Sequence, residues 1–148
     1  MTTLTRGQNT ALTPVPLTID VAGITPGSVD LLVFQLDATE KVRGDDDLIF
    51  FNQATSREGA VRLSGTSTVD VDLQRVPADV QFLRIAVALD DAASGSLALI
   101  KGLGVRVRGQ DGTCVDAAAV GLTSERAAVL LELYRRGDQW KARNISAG

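Results

Sequence analysis

Apolar and polar residues alternate along most of this chain with a period of two. Apolar side chains occupy every second position in 15–21, 69–73 and 83–89. Alternation of this kind is typical of strands with one buried face, whereas a helix repeats every three to four residues. Turn residues separate these segments at intervals of about a dozen residues, as in antiparallel all-β domains. We therefore predict an antiparallel β-sandwich or barrel.

Further segments complete the predicted sheets. The segment 30–36 is more continuously apolar, as is typical of a central strand, and 61–63 predicts a short strand. Strands at 105–107 and 114–119 are joined by Asp111-Gly112, a dipeptide common in tight hairpin turns. A turn at 23–27 contains Pro26. Pro16 predicts an edge strand or a strand start, because proline has no N–H to donate to a ladder.

The stretch 42–52 places three consecutive carboxylates directly before four bulky apolar residues, Leu48 to Phe51. The apolar residues predict a buried strand after Gly44. Continued alternation would place Asp45 and Asp47 on the same side of that strand. Buried carboxylates are costly unless a cation or backbone N–H groups lie against them. The cluster therefore predicts either a cation site or a solvated acidic turn.

Two other acids lie at predicted strand ends. Asp30 opens the strand 30–36, and Asp91 follows the strand 83–89 on its apolar face. Carboxylates collected at one rim of a sandwich suit Ca²⁺, which prefers oxygen ligands. The spacing excludes an EF-hand loop, which needs Gly at its sixth position and Glu at its twelfth.

The composition limits the function further. A chain of 148 residues predicts one domain, 1–148, and the net charge of −3 with a pI of about 4.9 argues against nucleic acid or anionic membrane as a partner. The sequence contains no histidine, which removes Ser/His and Cys/His nucleophilic pairs and His-ligated zinc. We therefore expect no enzyme. The single cysteine, Cys114, and the absence of an apolar N-terminal segment predict a soluble cytoplasmic protein.

The segment 123–136 is ambiguous. Glu125 near its start, Arg135 and Arg136 near its end, and Gly137 beyond it favour a helix. The alternative is a strand in which Val129, Leu131 and Leu133 share one face, with Gly137-Asp138 as the turn into a final strand. Local propensity alone favours the helix.

Several segments together resemble one family. The stretch 41–52 resembles the G-K-V-R-S-D-x-D-F-V-F-Y-N pattern of the TerD tellurium-resistance and stress-protein family. Residues 71–80 resemble its V-D-L-S-x-V-P-A-x-V corner. Residues 132–136 and 140–143 resemble its G-E-L-Y-R-x-x-G-x-W-K-F-R ending, and 6–9 its K-G-x-N opening. The matches occur in order along nearly the whole chain.

The resemblance implies a β-sandwich that binds calcium through clustered acids at one rim. It also implies resistance to tellurite and other stresses in bacteria, with no established catalysis and with other stress-response or Ter-type proteins as partners. The family ending is a β-hairpin, so the resemblance favours a strand at 127–135.

The chain departs from the family where calcium ligands would lie. The family's D-F-D-L-D is represented only by Asp30, and its long acidic loop by the five residues 64–68. The family's His-Asp after the long strand appears as Asp90-Asp91.

We therefore expect at most one Ca²⁺, with Asp30, Asp45, Asp47 and Asp91 as candidate ligands. The alternative is a metal-free scaffold for protein interactions, with Arg106 and Arg108 on one strand face as part of the partner surface.

Overall fold

A computed structural model describes residues 1–25 and 27–148; Pro26, within the predicted turn 23–27, lies outside the described residues. Twelve strands are present in the described part of the chain. They are β1 (Thr2–Leu4), β2 (Asn9–Leu12), β3 (Pro16–Ala22), β4 (Val29–Leu36), β5 (Leu48–Ile49), β6 (Val61–Leu63), β7 (Thr68–Asp72), β8 (Phe82–Leu89), β9 (Gly104–Gly109), β10 (Cys114–Ala118), β11 (Ala127–Arg136) and β12 (Gln139–Ala147).

The strands form two six-stranded sheets. The first sheet has the order β1-β10-β9-β3-β7-β6, and the second β2-β12-β11-β8-β4-β5. Every neighbouring pair is antiparallel except β1 and β10, which are parallel. This arrangement confirms the predicted β-sandwich.

The core lies between the sheets and follows the period-two pattern. In β3 the side chains of Leu17, Ile19 and Val21 are buried, while their neighbours face outward. Strands β4 and β8 show the same alternation along most of their length. Burial of these aliphatic side chains supplies the main driving force for folding.

The ambiguous segment is a strand, as the resemblance predicted. Strand β11 lies inside the second sheet, hydrogen-bonded to β8 on one side and β12 on the other. An irregularity between Val129 and Leu131 shifts the register, so that Leu130 and Leu131 are both buried. This shift interrupts the alternation and produces the helix-like spacing in the sequence. Two neighbouring ladders outweigh the local helix propensity.

The acidic stretch differs from the prediction. Asp45–Asp47 form a short 3₁₀ turn, and the strand that follows contains only Leu48–Ile49. Phe50 pairs with Gln53 in a tight turn, which leaves Phe51 68% exposed. The predicted four-residue buried strand is therefore wrong.

Two other details refine the sequence interpretation. Pro16 begins β3, an interior strand, so the strand-start interpretation is right and the edge interpretation is wrong. The short outer strands β1 and β2 were not predicted. They are three and four residues long, too short for a clear alternation.

Candidate functional site: the two ends of strand β4

The four candidate ligands lie at opposite ends of β4. Antiparallel pairing places Asp30 beside the end of β8, and Asp91 follows that strand. Strand β5 pairs with the other half of β4, so Asp47 lies beside Gln35. Gln35 lies five residues along the strand from Asp30, about 17 Å at ~3.4 Å per residue. We call the two ends the Asp30 rim and the Asp47 rim. The expectation that all four carboxylates meet at one rim is corrected by this register.

At the Asp47 rim, Arg43 neutralises the buried carboxylate. Asp47 is 2% exposed, and its Oδ2 accepts hydrogen bonds from the Arg43 backbone N–H at 2.6 Å and from Nε at 2.9 Å. Its Oδ1 accepts from Arg43 Nη2 at 2.7 Å and from Gln35 Nε2 at 3.2 Å. Bidentate guanidinium–carboxylate pairs are among the strongest polar contacts in proteins. Both oxygens of Asp47 are therefore engaged by protein donors.

The same guanidinium joins two further acids. Arg43 Nη2 lies 3.3 Å from Glu58 Oε2, and Nη1 lies 3.2 Å from Asp79 Oδ1. Burial opposes ionisation of Asp47, but the side-chain and backbone hydrogen bonds from Arg43 outweigh it and lower the pKa of the carboxyl. The hydrogen bond to Asp47 raises the pKa of Arg43.

Asp45 does not share this site. The 3₁₀ turn replaces the alternation that would have aligned Asp45 with Asp47, and Asp45 is exposed. Its backbone carbonyl accepts a hydrogen bond from Gln53 Nε2 at 2.7 Å. Asp46, between them, forms an exposed ion pair with Arg57 at 3.3 Å. Of the three consecutive acids, only Asp47 belongs to the buried cluster.

The Asp30 rim gathers the positions where the chain departs from the family's calcium-ligand pattern: Asp30, the 64–68 turn and Asp90-Asp91. Asp30 is half-buried and lines a groove with Gly65 and Thr66 of the shortened 64–68 turn. The turn after β8, residues 90–100, meets the same rim, because Asp90 N–H donates to the Ser28 carbonyl at 2.9 Å. Asp91 is exposed within that turn.

The candidate ligands do not fit one calcium site. Among residues 1–25 and 27–148, no three side chains of Asp, Glu, His or Cys are grouped so that they could hold a metal ion. Calcium takes about six to eight oxygen ligands, usually with several carboxylates. The predicted four are divided between two rims, and Asp47 is bound by Arg43.

Sequence reasoning missed the partners that complete these sites. Gln35, Glu58 and Asp79 reach the Asp47 rim from three separate segments, and no local pattern connects them. Arg43 lay within the acidic stretch itself, four residues before Asp47. A cation so close in sequence was a signal that the acid already had a partner.

The outer face of the first sheet carries the predicted Arg106 and Arg108. Arg106 forms a bidentate pair with Asp116 across the β9–β10 ladder, at 2.6 and 2.9 Å. Arg108 Nη2 lies 2.6 Å from Asp20 Oδ2 on β3. Both guanidiniums are therefore engaged in cross-strand ion pairs.

A groove opens between the sheets at the Asp30 rim. Strand β5 pairs only with Val33 and Phe34, so the first half of β4 has no strand neighbour on that side among the described residues. The groove has a volume of about 290 Å³. Its apolar lining residues are Val29, Leu31, Phe51, Ala54 and Leu63.

No helix among the described residues is long and apolar enough to cross a membrane.

The fold and these rims define a class of protein. It is a two-sheet β-sandwich whose last two strands, β11 and β12, form a hairpin, with acid-bearing turns at the ends of its central strands. The TerD domain family model matches residues 1–148. The chain belongs to the TerD domain family.

Curated relatives agree with this assignment. The chain is 30% identical to a tellurium resistance protein TerD of Serratia marcescens and 31% identical to one of an Alcaligenes species. It is 29% identical to general stress protein 16U of Bacillus subtilis strain 168. Each match spans 136 residues, covering 81% of this chain and 70% of the relative.

Solved structures share the fold at lower identity. The protein SAV2460, described as of unknown function, superposes with a TM-score of 0.68 at 14% identity, covering 91% of this chain and 92% of that one. SCO6318 from Streptomyces coelicolor A3(2), a homologue of telluride resistance protein (TerD), superposes with a TM-score of 0.62, also at 14% identity. The match covers 90% of this chain and 89% of that one.

Proposed function

We propose that this protein is a non-enzymatic, cytoplasmic stress-response module that acts by binding another protein, without a resident metal. Membership of the TerD family supports the stress-response part, since its relatives are named for tellurium resistance and general stress. The division of the acids between two rims supports the metal-free part. The partner is an extended segment of another stress-response or Ter-type protein.

The observation that carries this proposal is the open edge of β4. Residues 29–32 form about 14 Å of strand, at ~3.4 Å per residue, beyond the end of the two-residue β5. An uncovered strand edge presents backbone groups that a partner strand can pair with. The adjacent groove offers apolar surface for every second side chain of such a segment.

Two side chains define what the segment would carry. Phe51 is a large aromatic residue exposed beside the groove, and aromatic residues are common anchors in protein interfaces. Asp30 supplies a negative charge in the same groove. The matching segment therefore has alternating apolar residues and a Lys or Arg opposite Asp30.

The outer face of the first sheet is a weaker candidate surface. Arg106 and Arg108 already have carboxylate partners on neighbouring strands. A partner would have to compete with these pairs to use either guanidinium. The open edge requires no such exchange.

The test uses a host strain that lacks this gene, complemented with variants and exposed to tellurite. In the same cells, chemical cross-linking captures the partner bound to the unmodified protein. Phe51→Ser and Asp30→Lys should remove both the protection and this cross-linked partner, because each changes the groove. Leu99→Ser is the matched control, since Leu99 is similarly exposed but does not line the groove. If both groove variants fold, bind and protect as the unmodified protein does, the proposal is wrong.

A further inference from the structure

The turn after β8 is fixed by the segment before β11. Leu89 N–H donates to the Arg126 carbonyl at 2.7 Å, and Leu97 N–H to the Glu125 carbonyl at 2.8 Å. Ser96 Oγ donates to the Thr123 carbonyl at 2.9 Å. The 123–126 segment therefore supports both ends of the turn that carries Asp91.

The Arg126 side chain holds the middle of that turn. Its guanidinium donates to three backbone carbonyls: Nη1 to Gly95 at 2.7 Å, and Nη2 to Ala93 at 2.7 Å and Asp90 at 3.1 Å. Carbonyl oxygens gathered from one turn are also typical ligands of Ca²⁺. Here the three carbonyl oxygens accept hydrogen bonds from the Arg126 guanidinium, a cation of the protein itself.

The planar guanidinium suits this arrangement. Its N–H groups point in fixed directions, so one side chain can satisfy several carbonyls at once. A calcium ion at the same oxygens would need several carboxylates as well, because carbonyls alone leave its double charge unbalanced. Asp30, Asp90 and Asp91 are the acids at this rim, but among the described residues they are not grouped so that they could hold a metal ion. The 64–68 turn, Ser-Gly-Thr-Ser-Thr, adds no further acid.

We infer that Arg126 takes the structural place of calcium at the Asp30 rim, so that the turn after β8 is ordered without the metal that the family resemblance implies. This inference concerns the order of the turn. It rests on the metal-free part of the proposed function, and it stands or falls separately from partner binding at the β4 edge.

Amide hydrogen exchange of the unmodified full chain tests whether the turn is ordered without calcium. The useful probes are Ala93, Leu97 and Ile100, whose N–H groups bond to acceptors within the turn or to the 123–126 segment. Exchange at these amides should be the same with a chelator and with millimolar Ca²⁺. Slower exchange in calcium, with magnesium as the ion control, would overturn the inference.

The Arg126→Ala variant tests whether the Arg126 side chain orders the turn. Exchange at the three probe amides should accelerate by about tenfold or more, because a turn that loses its shared donor opens locally more often. Arg126→Lys keeps the charge but loses the planar guanidinium, so its exchange rates should fall between those of the unmodified protein and Arg126→Ala. Arg57→Ala is the control, since Arg57 is an exposed arginine paired with Asp46 at the opposite rim.

Unchanged exchange in Arg126→Ala would overturn the inference. Acceleration of core amides in β11 by the same factor would also overturn it, because the effect would then be global destabilisation rather than loss of order in one turn.

Discussion

Replacing Asp47 with alanine should destabilise the fold far more than replacing any other acid of the 42–52 stretch. The substitution removes the acceptor of four hydrogen bonds, three from Arg43 and one from Gln35. Gln35 is fully buried, so its amide cannot turn to water for a substitute and would keep only its longer hydrogen bond to Glu58 Oε1, at 3.4 Å. The variant would leave a half-buried guanidinium and a buried amide without their shared acceptor.

The magnitude follows from the burial of the two partners. Breaking a buried ion pair by removing one partner costs about 3–5 kcal/mol, and exposed pairs contribute about 0–1 kcal/mol. Asp47 is buried, but the Arg43 side chain is 27% exposed and keeps contacts with Glu58 and Asp79. We therefore expect a loss of about 3 kcal/mol in the free energy of unfolding, at the lower end of the buried range.

Urea denaturation of four proteins measures this value: the unmodified chain, Asp47→Ala, Arg43→Ala and the double variant. Asp79→Ala is the control, since its side chain is 66% exposed and should cost less than about 1 kcal/mol. The double variant should lose less than the sum of the single losses, because the two side chains interact directly. A loss below about 1 kcal/mol for Asp47→Ala, or additive losses in the cycle, would refute the pairing of Asp47 with Arg43.

Three further predictions concern pH, backbone geometry and packing. The pKa of Asp47 is lowered in the folded state, so its contribution to the free energy of unfolding is present above the ordinary carboxyl pKa and is lost as pH falls through the folded-state pKa. Asp47→Asn should therefore flatten the acid side of the stability–pH profile. An unchanged slope would contradict this. Gly23→Ala should lower the melting temperature more than Gly7→Ala, since both residues have positive φ but only the Gly23 Cβ would meet backbone atoms, at 2.8 Å; equal losses would refute the close approach. Leu131→Ala should cost about 2–5 kcal/mol by urea denaturation, because its side chain is fully buried in the core; a loss below about 1 kcal/mol would contradict this packing.

The sequence predicted the sandwich because its interior strands follow period two so closely. β3, β4, β7 and β8 bury alternate aliphatic side chains, as the pattern required. β11 was the difficult element, since its register shift places Leu130 and Leu131 both in the core. The family resemblance settled that strand, because the helix-like spacing arises from pairing with two neighbours and not from local propensity.

The candidate site was harder to predict, since it depends on which ends of the strands meet. The acidic stretch matches the family pattern at both Arg43 and Asp47, and the structure shows that these two residues bind each other. The best match to the family therefore marks a structural ion pair. Glu58, Asp79 and Arg126 reach their positions through turns, whose paths period-two patterns do not determine.

We propose that arginine side chains, rather than a metal, hold the acid and carbonyl clusters at both ends of β4. Calorimetric titration of the unmodified protein with millimolar Ca²⁺, with melting temperatures recorded in calcium and in chelator, tests it most directly. We expect no saturable heat and identical melting temperatures. A saturable binding heat with a higher melting temperature in calcium would contradict it.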